Sequence, residues 1–287
     1  MSTAKGFVAW SSAQVPKYDN SLQAWFKDMT NYDLSLMHFL FGAGAEIANE
    51  LGIKTEAAHW NKLKSQLPDF DLDNEGSLTF AKGFPYNASH RHFSHALAIH
   101  PLGIIDWSDG EKAQRIIRAT LKKMNDYGPD YWTGYTYSWF ANMQARAFNG
   151  EEAAKALRTF AECFCLKNTF HANGDQSASG KSKFTYRPFT LEGNFAFAAG
   201  IHEMLLQSHT GVIRVFPAVP ESWKNVSFNN LRAMGGFLVS AALKDGKVVR
   251  LEIYAEKGGR LAVFSPFEHK VVEYDTQPGS RIDLAVE

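Results

Sequence analysis

The chain has 287 residues, is 45% hydrophobic and 14% aromatic, and balances 30 Lys plus Arg against 30 Asp plus Glu. That length suits one large domain or two unequal ones with a substantial core. The zero net charge provides no field for drawing in nucleic acid or an anionic membrane, so neither is an expected partner.

In chain order, the opening MSTAKGFVAW lacks the basic and long apolar regions of a signal peptide. Residues 1 to about 32 hold no sustained period and predict mostly loop. Residues 33–51 repeat apolar side chains at helical spacing and stop at Gly52, a helix-ending signal. His38, Glu46 and Asn49 interrupt that helix, so nothing is expected to span a membrane and a soluble chain is expected. A second helix over 55–66 closes at Pro68. The polar DLDNEGS then leads to HRHFSHALAIHP at 90–101, which predicts another helix opening near Ser94.

SDGE at 108–111 has the capping-box pattern and predicts a helix through Met124. Further helices are expected over 137–148, 151–164 and 194–207. At Gly211 the texture changes to GVIRVFPAVP, GGFLVSAAL, KVVRLEIYA and RLAVFSP, separated by KDGK and EKGG. These β-rich runs with turn signals predict a small antiparallel β-domain. The resulting division is a helical domain over 1–209 and a β-sandwich-like domain over 210–287. Cys163 and Cys165, in ECFC, are too close in sequence for an ordinary disulfide and read as buried thiols.

Four patterns are candidates for chemistry. His90, His92 and His95 stand close together with Arg91, which admits three readings: a metal site, a structural cluster, or a polar pocket in which Arg91 and His92 donate to ligand oxygens. The run has no HExxH spacing and no acidic residue, which weakens the metal reading. Arginine suits adjacent oxygens because its donors form a planar fork. YWTGYTYSW at 131–139 places five aromatics around Gly134 in what reads as a loop before a helix. Trp132, Tyr135 and Trp139 would there stack on a ligand, the alternative being core packing. Glu192, in FTLEGNF, either complements the positive end of the following helix or uses it to stay ionised as a base. Asp175, in NGDQS, reads as a solvated turn residue. No metal or cofactor is expected.

HRHFSH, TGYTYSW, RPFTLEGNFAFAAGIHEMLLQSH and GVIRVFPAVPESW, in this order, resemble glycoside hydrolase family 95 from about Asn31 to Phe267. The family's best-known members are inverting α-L-fucosidases, with some α-L-galactosidases. The resemblance implies a partial (α/α)6 toroid, of the six-hairpin glycosidase type, followed by the small β-domain. It places Arg91 and His92, with His90, Tyr186 and Asn194, around a sugar-binding subsite. Glu192 falls where the family usually has an aspartate that helps activate the attacking water. Tyr186 stands where many members have a histidine.

The family's proton donor is a glutamate in a Ser-Pro-Glu context, whereas the corresponding segment here reads WSSAQVPKYDNSLQAWF, without glutamate. The family's water-positioning asparagines would fall before Met1. The chain therefore reads as the carboxyl-terminal part of such an enzyme: a fragment, a non-catalytic carbohydrate-binding remnant, or a chain that completes its site with another polypeptide. Self-association or a completing chain is expected, with a terminal L-fucose or L-galactose of a glycan as the ligand.

Overall fold

The computed structural model describes Phe26 and residues 28–284. The expected amino-terminal loop and the segment WSSAQVPKYDNSLQAWF lie almost wholly outside the described residues. Six helices precede a small β-rich region: α1 (Asn31–Glu50), α2 (Lys54–Ser65), α3 (Glu111–Tyr127), α4 (Gly134–Arg146), α5 (Gly150–Phe164) and α6 (Glu192–Leu205). Two compact units divide the chain. The first takes residues 1–136 and 180–184, the second residues 137–179 and 185–287, and the division falls inside α4.

In the first unit, α1 opens on a reciprocal cap. The Asp33 amide donates to the Thr30 hydroxyl at 3.1 Å, and the Thr30 amide donates to the Asp33 carboxylate at 3.2 Å. Asn31 is fully buried with its polar atoms satisfied: it donates to the carbonyls of Asp71 and Thr79, both at 2.8 Å, and accepts from the Asp71 amide at 2.9 Å. Gly44 lets Trp60 of α2 lie against α1, since a β-carbon there would stand 3.0 Å from the indole. α3 buries Ala113, Ile117, Thr120, Leu121 and Met124, one stripe at helical spacing.

Two local expectations are corrected here. Residues 94–96 form only a single 3₁₀ turn, not the opening of a longer helix. Phe93, Ser94, His95, Ala96, Ala98 and Ile99 are all buried, so the segment is enclosed on every side and has no polar face to give a surface helix its period. The SDGE box does not cap α3 either. The Asp106 carboxylate and Asp109 instead cap a short 3₁₀ turn, Trp107–Asp109, and Gly110 precedes α3 with no side-chain cap. Asp106 wins because it reaches the Ser108 amide at 2.9 Å.

In the second unit, α5 buries Ala153, Ala156, Leu157, Phe160, Cys163 and Phe164. At its start Gly150 is required, because a β-carbon would meet the Val219 backbone at 2.4 Å. Cys163 is buried and Cys165 half-buried, and both are free thiols. The strands are β1 (Leu206–Gln207), β2 (Val212–Val215), β3 (Val226–Ala233), β4 (Phe237–Lys244), β5 (Lys247–Ala255), β6 (Gly259–Ser265), β7 (Lys270–Thr276) and β8 (Arg281–Leu284). They form two four-stranded sheets, β1-β2-β6-β7 and β3-β4-β5-β8.

Alternate residues of both sheets, including Ile213, Val239, Ala241, Leu251, Ile253, Leu261 and Val263, share one apolar cluster. Pairing is antiparallel except between β2 and β6, which run parallel with Val212 opposite Ala262. The intervening β3 to β5 supply the long crossover that a parallel pair needs.

Candidate functional site

The candidate residues fall in both units. In the first unit, the backbone of the histidine segment is fixed from two directions. The His90 amide donates to the Tyr86 hydroxyl at 3.2 Å, and the Arg91 carbonyl accepts from the Thr136 hydroxyl at 2.8 Å. The His92 amide donates to Nδ1 of the buried His90 at 3.2 Å, with the two rings edge to face at 5.3 Å. Burial, the dominant effect, holds the His90 ring below its ordinary pKa, and the Arg91 charge adds to this.

Arg91 and His92 are half-buried. The Arg91 guanidinium lies over the Phe184 ring at 5.7 Å and has no carboxylate partner among the described residues, which leaves its fork available to a ligand. His95 is different. It is fully buried between Phe80, Tyr86 and Phe93. Burial pushes its pKa down to about 3. It belongs to the packing beneath the segment. Among the described residues no three His, Cys, Asp or Glu side chains are grouped to hold a metal ion.

Of the aromatic cluster only Tyr131 and Trp132 stand in the loop before the helix. Helix α4 already begins at Gly134, so Tyr135 and Trp139 are helical residues. Trp132 is 3% exposed and meets Phe93 edge to face at 5.2 Å, while Trp139 is 9% exposed. The two tryptophans pack inward and present no open face for stacking. Tyr135 is half-buried. The alternating spacing misled because a helix start at Gly134 places 135 and 139 on one side of α4.

In the second unit the start of α6 is assembled from three directions. The Ser138 hydroxyl of α4 donates to the Gly193 carbonyl at 3.1 Å, and Asn142 donates to the Ala196 carbonyl at 2.8 Å. Phe160 of α5 packs on His171 with ring centres 5.1 Å apart. His171 is fully buried against Gly193, where a β-carbon would come within 2.5 Å of Nδ1. Only glycine fits.

The His171 Nδ1 lies 2.8 Å from the Thr190 hydroxyl and 3.1 Å from the Thr190 carbonyl. Asn194 accepts from the His171 amide at 3.0 Å and donates to the Thr169 carbonyl at 3.0 Å, so it is a structural tie between α6 and the preceding loop.

Upon this base stands Glu192, the first residue of α6, exposed and the acidic residue of its first turn. Leu191 provides no side-chain cap, so the Glu192 carboxylate is the charge that complements the helix dipole. Burial holds His171 below its ordinary pKa, while Thr190 and the Glu192 charge act in the opposite direction. A neutral imidazole behind a solvent-facing carboxylate is an arrangement that can hold a base without protonating it. Tyr186 is exposed on the segment leading to α6.

Sequence reasoning missed His171, because a lone histidine 21 positions before Glu192 carries no motif. Asp175 is also corrected: it is 5% exposed rather than solvated. Its carboxylate accepts from the Ser177 amide at 2.8 Å and from the hydroxyls of Ser177 and Ser179 at 2.6 and 3.1 Å, which makes burial tolerable.

The catalytic-domain model of glycosyl hydrolase family 95 matches residues 8–205, and the model of the C-terminal domain of glycoside hydrolase family 95 matches residues 207–283. Alpha-L-fucosidase 2 of Arabidopsis thaliana is 31% identical over 198 residues, 68% of this chain and 23% of that protein. Probable alpha-fucosidase A of Aspergillus niger is 24% identical over 203 residues, 66% of this chain and 23% of that protein. The chain thus spans about a quarter of the length of the curated relatives it matches.

Proposed function

The chain belongs to glycoside hydrolase family 95, and from that premise we propose that it carries the water-activating and sugar-binding residues of an α-L-fucosidase-type glycosidase that acts with inversion on terminal α-L-fucosyl or α-L-galactosyl groups. The observation that carries this reading is the exposed Glu192 at the start of α6, locked from behind by Gly193 and His171. Its carboxylate takes the proton of the attacking water as the oxygen bonds to the anomeric carbon and the glycosidic bond on the opposite face breaks, an aryl oxide leaving as the anion and then taking its proton from solvent. Arg91 and His92 donate to hydroxyls of the sugar, and Tyr186 contributes to its selection. The helical part is a portion of an (α/α)6 toroid in this reading. The exposed Phe39, Leu40 and Ile47 of α1 and its C-cap Leu51 are then covered by another polypeptide or a second copy.

Release of the aryl group from aryl α-L-fucoside and aryl α-L-galactoside by wild type and Glu192→Gln tests the reading. Loss of the base is expected to lower turnover by roughly 10² to 10⁴-fold. Equal rates in the two proteins overturn it.

A second reading, carbohydrate binding without turnover, is favoured by the absence of glutamate from WSSAQVPKYDNSLQAWF. Calorimetry with L-fucose and L-galactose separates the two: a heat of binding without product release supports the second, and product release excludes it.

A further inference from the structure

In the second unit an open groove of about 520 Å³ is lined by Cys165, Leu166, Lys167, Asn168, Gln176 and Arg187. Two of these six are cations and none is an acid. Neither Lys167 nor Arg187 has a carboxylate partner among the described residues. Arg115, Lys122, Lys155, Arg232, Arg260 and Lys270, by contrast, each have a carboxylate partner. The groove is a local excess of unneutralised positive charge in a chain whose net charge is zero.

Its walls are fixed mainly by backbone bonds, to which the side chains of Asn168 and Gln176 add. On one side the turn carrying Lys167 and Asn168 is closed by the Leu166 amide on the Phe170 carbonyl at 2.9 Å and the Thr169 amide on the Leu166 carbonyl at 2.8 Å. Asn168 accepts from the Phe170 amide at 3.2 Å, which leaves its two N–H donors uncommitted.

On the other side, the peptides flanking Arg187 accept from the Gly174 amide at 3.0 Å through Tyr186 and from the Asn173 amide at 3.1 Å through Pro188. Pro188 further confines Arg187 to extended backbone. Gly174 permits this approach, as a β-carbon there would lie 2.7 Å from the Thr185 backbone. Gln176 is held by donation to the Gly174 carbonyl at 2.8 Å. Burial raises the Cys165 pKa, so the thiol stays neutral and leaves the positive charge undiminished.

A fixed groove of this volume accommodates a monosaccharide unit. An arginine fork and a lysine match an oxyanion, whereas amide groups match hydroxyls. We propose that the groove binds a sugar bearing an oxyanion, either a sulfate ester or a carboxylate, with Lys167 and Arg187 on the charged group and Asn168 and Gln176 on the ring hydroxyls. Glu192 does not line the groove, and binding there does not depend on hydrolysis.

The test is titration of the chain, followed by NMR or calorimetry, with galactose 6-sulfate, galacturonic acid, galactose and inorganic sulfate. Both variants Lys167→Ala/Arg187→Ala and Glu192→Gln are compared with wild type. Both substituted cations are exposed, so the double variant is expected to keep the wild-type circular dichroism spectrum.

At least one charged sugar is expected to bind about tenfold more tightly than galactose, the gain of two solvent-exposed charge contacts. That gain should vanish in the double variant, shrink as salt is raised, and persist in Glu192→Gln. Whether the sulfated sugar or the uronate binds more tightly identifies the oxyanion. Equal affinity for galactose and both charged sugars overturns the proposal, as does undiminished affinity in the double variant. Inorganic sulfate binding as tightly as the charged sugars also overturns it, by showing an anion site without sugar recognition.

Discussion

Each unit contains one completely buried histidine, and the two are used in opposite ways. His95 in the first unit is enclosed by rings: Phe80 edge-on at 4.8 Å and Tyr86 stacked at 5.0 Å, with neither of its nitrogens hydrogen-bonded. His171 in the second unit has Nδ1 engaged with Thr190 and an exposed carboxylate, Glu192, close enough to act on its charge. One imidazole serves as a flat filler and the other as a polar pin. Burial alone does not separate these roles; the partners of the ring nitrogens do.

Substitution separates them most strongly. His95→Ala opens a cavity in a packed ring cluster and is expected to cost about 3 kcal/mol in urea denaturation. The same position filled by Phe removes two nitrogens that lack partners but adds volume to an enclosed site, so the two effects offset and stability at pH 8 is expected to stay within about 1 kcal/mol of wild type. His171→Phe is expected to lose about 2 kcal/mol, because the Thr190 hydroxyl loses its bonding partner beneath α6. A clearly larger loss in His171→Phe than in His95→Phe sustains the comparison, and equal losses break it.

A smaller effect tests the contact between His171 and α6. Gly193→Ala places a β-carbon within 2.5 Å of His171 Nδ1 and 2.7 Å of Phe160 Cε2, both on rigid, buried rings. Overpacking of this kind costs about 1–3 kcal/mol, and the better helix propensity of alanine returns about 1. A net loss of about 1 kcal/mol is expected in thermal unfolding. In any preparation that hydrolyses an aryl α-L-fucoside, kcat should fall with it, since the carboxylate at 192 moves with the first turn of α6. A variant more stable than wild type would show that the His171 packing is slack.

These regions also mark what the sequence makes legible. α3 and α5 carry one apolar stripe each, and period alone finds them. The alternation in β4 and β5 likewise reports the shared core of the two sheets. Glu192 is legible because helix-start chemistry and an ordered set of motifs coincide there. The 3₁₀ turn at Ser94 is not, since a segment buried on all sides has no amphipathic period to read. Asp175 and His171 are illegible for a different reason. Their surroundings come from serine hydroxyls, Thr190 and Gly193, whose approach is decided by how the loops before α6 fold back, and spacing along the chain does not encode that.

The smallest effect concerns His95 and is read in mild acid. The His95 pKa is pushed from the usual 6.5 to about 3, burial being the main cause and the nearby His90 charge a lesser one. The unfolded chain therefore binds a proton below pH 6.5 that the folded chain refuses until about pH 3. Stability from this group is fully present above pH 6.5 and is lost as pH falls through that window. At pH 6 the loss is still under about 1 kcal/mol. His95→Phe has no such proton to bind, so its stability relative to wild type should improve between pH 8 and pH 6, measured by urea denaturation at both values. His90 stays in both proteins and cancels in the difference. An unchanged gap between the two proteins would mean that water reaches the ring at position 95, and its role as a dry filler would fail.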